Sequence, residues 1–175
     1  MLEPFFNSLK YWHFDELLRQ VGISKPQLSF WLKNYGGQGL IKRIKQKGKM
    51  PFYVANVDNA EFLNRKRLFG WKKLADCGLL THLSSLDGAK VVVLFGSFSR
   101  SDWYDRSDVD IFIYGSDRDF EQGKYEVKLN RDIQVHLARR PKDLIRLERM
   151  LPYIVSGNFI KGSIEDLGIE VHAKV

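Results

Sequence analysis

The chain has 175 residues, 44% hydrophobic and 13% aromatic, which suffices for one medium core or two small ones and excludes a disordered acidic tail or a low-complexity linker. A single cysteine, Cys77, excludes a disulfide framework and a multi-cysteine zinc site, and no apolar run approaches the ~20 residues that span a bilayer. The formal net charge of +7 belongs entirely to residues 1–70, which carry 12 Lys and Arg against 5 Asp and Glu, whereas residues 71–175 carry 16 of each.

Met1 to Lys10 lacks the basic-then-apolar pattern of a secretory signal, so a cytoplasmic location is expected. Apolar spacing predicts a helix over Leu2 to Tyr11 and a second over His13 to Val21, ended by Gly22 as a left-handed cap. Ser24 is an expected N-cap for a third helix from Pro26 to about Tyr35, which would bury Leu28, Trp31 and Leu32 and stop at Gly36-Gly37. Leu40 to Lys45 and Pro51 to Ala55 then predict a hairpin around the basic turn Gln46-Lys47-Gly48-Lys49. Two helices joined by a tight turn and followed by a hairpin resemble winged helix-turn-helix regulators.

That resemblance implies duplex DNA as a partner. Lys25, Gln27, Ser29 and Lys33 would face the major groove, and Lys42, Arg43, Lys45, Lys47 and Lys49 on the wing would meet phosphates. A protein-docking module or a merely solvated charged loop remains open on the same residues. Asn59 to about Leu74 predicts a basic connecting helix ending near Cys77-Gly78, with Leu79 to Leu86 as its extension. Cys77 reads as a small apolar residue near that end.

Ala89 to Phe95 is a continuous apolar run of strand length, ending at Gly96-Ser97. Ser97 to about Asp102 follows as the start of a helix whose N–H groups would bind an anion. Asp108 to Tyr114 is a second apolar strand, in which Asp108 and Asp110 share a face by the period of two. Paired carboxylates at a strand end are costly without a cation, and hard oxygen ligands suit Mg²⁺. A phosphate turn facing such a pair points to metal-assisted phosphoryl or nucleotidyl transfer.

Leu94-Phe95-Gly96-Ser97 through Asp102, then Ser107-Asp108-Val109-Asp110-Ile111-Phe112, resembles the signature of the polymerase β-like nucleotidyltransferase superfamily. Ten residues, 98–107, separate Ser97 from Asp108, and the Gly-Ser-x-x-Arg and Ser-Asp-x-Asp forms resemble minimal nucleotidyltransferases. The resemblance spans residues 90 to 138. It implies transfer of a nucleoside monophosphate from a nucleoside triphosphate to a hydroxyl. Asp108 and Asp110 would hold two Mg²⁺ ions, Gly96 and Ser97 the triphosphate, and Arg100 a phosphate unless it pairs with Asp102 or Asp105.

The family also implies a third carboxylate on a neighbouring strand, as metal ligand and base. Tyr125 to Leu129 and Asp132 to Ala138 are the candidate strands. Asp132, Gln134 and His136 share the polar face of the second, which makes Asp132 the expected third acid. A register placing Gln134 there instead would remove the base, since an amide takes up no proton. His136 is expected to be a partly buried, hydrogen-bonded residue, with contact to substrate as the alternative. Pro141 to about Ser156 predicts one covering helix, and Asn158 to Ile164 and Gly168 to Val171 short closing segments.

The expected fold is α+β: a winged helix-turn-helix over 1–57, a connecting helical segment over 58–88, and a minimal nucleotidyltransferase domain with a mixed β-sheet over 89–175. The implied activity is Mg²⁺-dependent nucleotidyl transfer to an unidentified acceptor, a protein or an RNA, with room for a homodimer. The alternative is a DNA-binding regulator or antitoxin-like protein whose transferase fold senses nucleotide with weakened chemistry.

Overall fold

The computed structural model describes residues 1–168 and divides the chain into two compact units, Met1–Leu68 and Phe69–Val175. The segment expected from Gly168 to Val171 lies, beyond Gly168, outside the described residues. No helix among the described residues is long and apolar enough to cross a membrane.

The first unit runs α1 (Glu3–Asn7), β1 (Trp12–His13), α2 (Phe14–Val21), α3 (Lys25–Gly37), β2 (Ile41–Ile44) and β3 (Phe52–Ala55). Its three strands form an antiparallel sheet in the order β1-β3-β2, with Trp12 opposite Tyr53 and Ile44 opposite Phe52. α1 is shorter than its apolar spacing predicts. Ser8 is extended and its Oγ accepts a bond from the Lys10 N–H, a local turn that competes with the next helical turn and leaves Trp12 to join the sheet.

Gly22 closes α2 in the left-handed conformation, as its position predicted. Ser24 caps α3 through a reciprocal capping box: its Oγ accepts from the Gln27 N–H, while Gln27 Oε1 accepts from the Ser24 N–H at 3.0 Å. Leu28, Leu32 and Tyr35 form the buried stripe, whereas Trp31, expected inside, is 37% exposed. Trp31 lies at the edge of that stripe and stacks on Tyr35 with centroids 5.3 Å apart. Gly36 and Gly37 do not stop the helix; both are helical and Gln38 is the cap.

α4 (Ala60–Asp76) runs through the division between the units, and α5 (Leu79–Ser84) is a separate short helix rather than its extension. The second unit continues with β4 (Ala89–Phe95), α6 (Gly96–Arg100), β5 (Val109–Gly115), α7 (Gln122–Leu129), β6 (Ile133–Ala138), α8 (Pro141–Arg146), α9 (Leu151–Val155) and β7 (Asn158–Lys161). Its mixed sheet has the order β6-β5-β4-β7, with β5 and β6 parallel and the other pairs antiparallel. Val91, Val93, Phe95, Phe112 and Tyr114 bury one face against Leu144 of α8 and Ile154 of α9. Burial on both faces explains why β4 reads as an unbroken apolar run.

Two expectations fail here. Tyr125 to Leu129 is helix, not strand: Tyr125 is buried while Val127 is 82% exposed, and Gln122 bonds Glu126 one turn on. The single helix over 141–156 is two, because Pro152 lies in the first turn of α9, where its missing N–H is tolerated but a continuous helix is not.

Candidate functional site

The end of β4 and the starts of β5 and β6 bring the chemistry-bearing residues of the second unit together. Asp110 lies opposite Phe95 on β4 and opposite Gln134 on β6. Immediately after Phe95 the chain turns through Gly96, with φ +71°, into α6. A Cβ on Gly96 would stand 2.0 Å from Asp110 Oδ2. The Gly-Ser turn is therefore in direct contact with the carboxylate, which only a residue lacking a side chain permits.

Asp108 stands just before β5, and its Oδ2 accepts a bond from Gln134 Nε2 at 2.6 Å. His136, two residues further along β6, places Nε2 3.7 Å from Asp110 Oδ1 and packs its ring edge-on against Phe95. Burial pushes the Asp110 carboxyl above the usual carboxylate range, the Asp108 charge adds to this, and His136 and Arg100 oppose it. A half-buried anion beside a second one is the environment that a cation relieves. The donor set, two carboxylates and an amide, fits a hard divalent cation such as Mg²⁺.

Asp132 falls outside β6. Its carbonyl accepts from the Val109 N–H at 2.9 Å, and its exposed side chain lines a cleft of about 590 Å³ with Asp105, Arg106, Asp108, Glu126 and Arg131. The residue of β6 opposite Asp110 is thus Gln134. Among the described residues no three His, Cys, Asp or Glu side chains are grouped to hold a metal. Arg100, half of whose side chain is exposed, pairs with Asp102 at 3.0 Å. Ser97 stands in the first turn of α6, and Asn158 of β7 bonds Ser99 at 2.8 Å.

In the first unit Lys25, Gln27, Ser29 and Lys33 are all exposed on α3. Gln27 also serves the α3 cap, so its carbonyl oxygen is engaged. Lys42, Arg43, Lys45, Lys47 and Lys49 are exposed along β2 and the hairpin turn, with Lys42 paired to Asp58 at 2.9 Å. Exposed Phe30 lies edge-on to Trp31 on α3.

Two polar groups of the second unit have structural roles that the sequence did not show. Glu126 accepts from the Ile133 N–H at 3.1 Å and holds the start of β6. Arg131 reaches the loop before Asp108. Arg131 acts across more than twenty residues and Glu126 from one element to the next, and nothing periodic in the chain signals either.

Residues 79–164 match the family model described as Polymerase beta, Nucleotidyltransferase. The match supports a nucleotidyltransferase domain over that span and, with the α+β architecture around it, a nucleotidyltransferase-type function. No curated protein and no solved structure matches the chain.

Proposed function

We propose that the second unit transfers a nucleoside monophosphate from a nucleoside triphosphate to a hydroxyl acceptor, and that the first unit holds duplex DNA. The observation that carries the first half is the contact between the Gly96-Ser97 turn and Asp110, which sets a phosphate-binding turn against a carboxylate pair. Asp108 and Asp110 hold Mg²⁺, which when bound neutralises charge on the triphosphate. Gly96 and Ser97 receive the phosphates, with Arg100 beside them once it leaves Asp102. The acceptor oxygen bonds the α-phosphorus, the bond to pyrophosphate breaks, and the hydroxyl proton passes to Asp132 in the cleft it shares with Asp108. Labelling of protein or RNA acceptors from each of the four triphosphates, with and without Mg²⁺, tests this reading; no transfer from any of them rejects it.

The bond from Gln134 to Asp108 favours a second reading, in which nucleotide is held without turnover and the protein is a DNA-binding regulator. Gln134→Asp separates the two. A third carboxylate opposite Asp110 is expected to tighten Mn²⁺ binding, since it adds a hard anionic oxygen ligand. If transfer appears in the variant while the wild type only binds nucleotide, the amide at this position is what withholds turnover and the regulator reading holds; a wild type that already transfers nucleotide rejects that reading.

DNA binding by the first unit is supported by the helix, strand, two helices and hairpin in that order, and by the exposed cations on α3 and the hairpin. Affinity for duplex DNA is expected to fall steeply with salt. Replacing Lys45, Lys47 and Lys49 by Ala should weaken it by roughly an order of magnitude or more and flatten the log–log salt slope by up to about 0.9 per lost phosphate contact. Salt-independent binding, or none, rejects the assignment.

A further inference from the structure

The turn between α7 and β6 carries Arg131, whose half-buried guanidinium is held by two separate sets of contacts. Its Nη1 donates to the carbonyl oxygens of Tyr104, of Asp105 at 2.9 Å and of Ser107 at 3.0 Å. Its Cζ also lies 5.3 Å from the ring centroids of both Phe98 and Trp103. Those rings are themselves buried and stacked 5.2 Å apart, within 9° of parallel. Phe98 belongs to α6, the phosphate turn, and Trp103 to the loop that follows it.

The segment containing Arg131 runs beside the strand bearing the acids. Three residues of one loop, 104 to 107, converge on one guanidinium nitrogen, and the next residue is Asp108. The Val109 N–H then bonds the Asp132 carbonyl, and Gln134 bonds the Asp108 carboxylate. A planar fork is needed to meet several carbonyls and to lie on two rings at once, a geometry Lys does not reproduce.

We propose that Arg131 is a positioning residue of this site, pinning the 104–107 loop against the Phe98–Trp103 stack so that Asp108, just before β5, faces the cation. It touches neither substrate nor metal. The effect on the cation rests on the reading of Asp108 and Asp110 as its ligands; the effect on the loop does not.

The test is Arg131→Ala, read by amide hydrogen exchange and by binding of Mn²⁺ alone, followed through its paramagnetic resonance signal. Exchange at the Ser107 and Val109 amides should rise at least tenfold, while Val92 and Val93 in β4 keep their protection. Mn²⁺ affinity should fall by about tenfold or more, the scale on which groups behind a metal ligand act. Millimolar guanidinium should restore both, where the same concentration of sodium does not. Should the Ala variant lose β4 protection as well, Arg131→Lys replaces it, with β4 intact and Ser107 still exposed to exchange. Unchanged exchange at Ser107 and Val109, full rescue by Lys, or unchanged Mn²⁺ affinity in a protein that binds it each overturns the proposal. A wild-type protein that binds no Mn²⁺ rejects the metal-site reading instead, and exchange with guanidinium rescue then decides the role of Arg131.

Discussion

Asp110→Asn is expected to abolish Mg²⁺-dependent nucleotide incorporation, by about 10³-fold or more, without unfolding the protein. The substitution keeps the shape of the side chain and removes the charge that a cation needs. Its effect on stability runs the other way. Burial raises the Asp110 carboxyl above its ordinary value, so the folded chain binds that proton more tightly than the unfolded chain does. The stabilising contribution of the protonated form is therefore present at low pH and lost as pH rises through the raised value. At neutral pH the ionised group counts against the fold, and a neutral amide relieves that cost. Melting temperature at pH 7 should hold or rise while incorporation disappears. Unchanged incorporation would remove Asp110 from the site; a large loss of stability would mean the carboxylate is structural.

The same residues show how much of the site the chain states openly. β4, the Gly-Ser turn and β5 are legible because each is a local signal: an apolar run, a residue that tolerates positive φ, and acids spaced by two. The identity of the residue opposite Asp110 is not local. Asp132, Gln134 and His136 fit the period of two equally well, and only the pairing of Asp110 with Gln134 shows which of them stands opposite Asp110. Asp132 sits one step before the strand begins, where its carbonyl, not its carboxylate, meets β5. The failures elsewhere have similar causes. Tyr125 to Leu129 was too short for a period to decide, and the bond from Gln122 to Glu126 set the turn of α7. Arg131 carries no local signal of its role, because its partners, Phe98, Trp103 and three carbonyls, lie more than twenty residues earlier.

Gly96→Ala should damage both the fold of the second unit and its site. Part of the effect is conformational, since φ +71° with a side chain costs about 1–2 kcal/mol. Gly168→Ala isolates that part: its φ is +63° and none of the described residues lies within 4 Å of the added carbon. The remainder is steric. The new Cβ falls 2.0 Å from Asp110 Oδ2 and 2.8 Å from Cγ, so the carboxylate must leave its place. Backbone pairing on both sides fixes Asp110 Cβ, which also lies 3.1 Å from the new carbon, so swinging the carboxylate aside does not remove the whole contact. Overpacking of this kind costs a further ~1–3 kcal/mol. Thermal unfolding should therefore rank Gly96→Ala well below Gly168→Ala, and Mn²⁺ binding should be lost only in the first. Pairing Gly96→Ala with Asp110→Ala removes Oδ2 and Cγ and leaves a 3.1 Å contact to Cβ, so the double variant should regain about 1 kcal/mol or more over additivity. Strict additivity would mean that the turn and the carboxylate are not in contact, and the phosphate-to-metal geometry proposed for this site would fall with it.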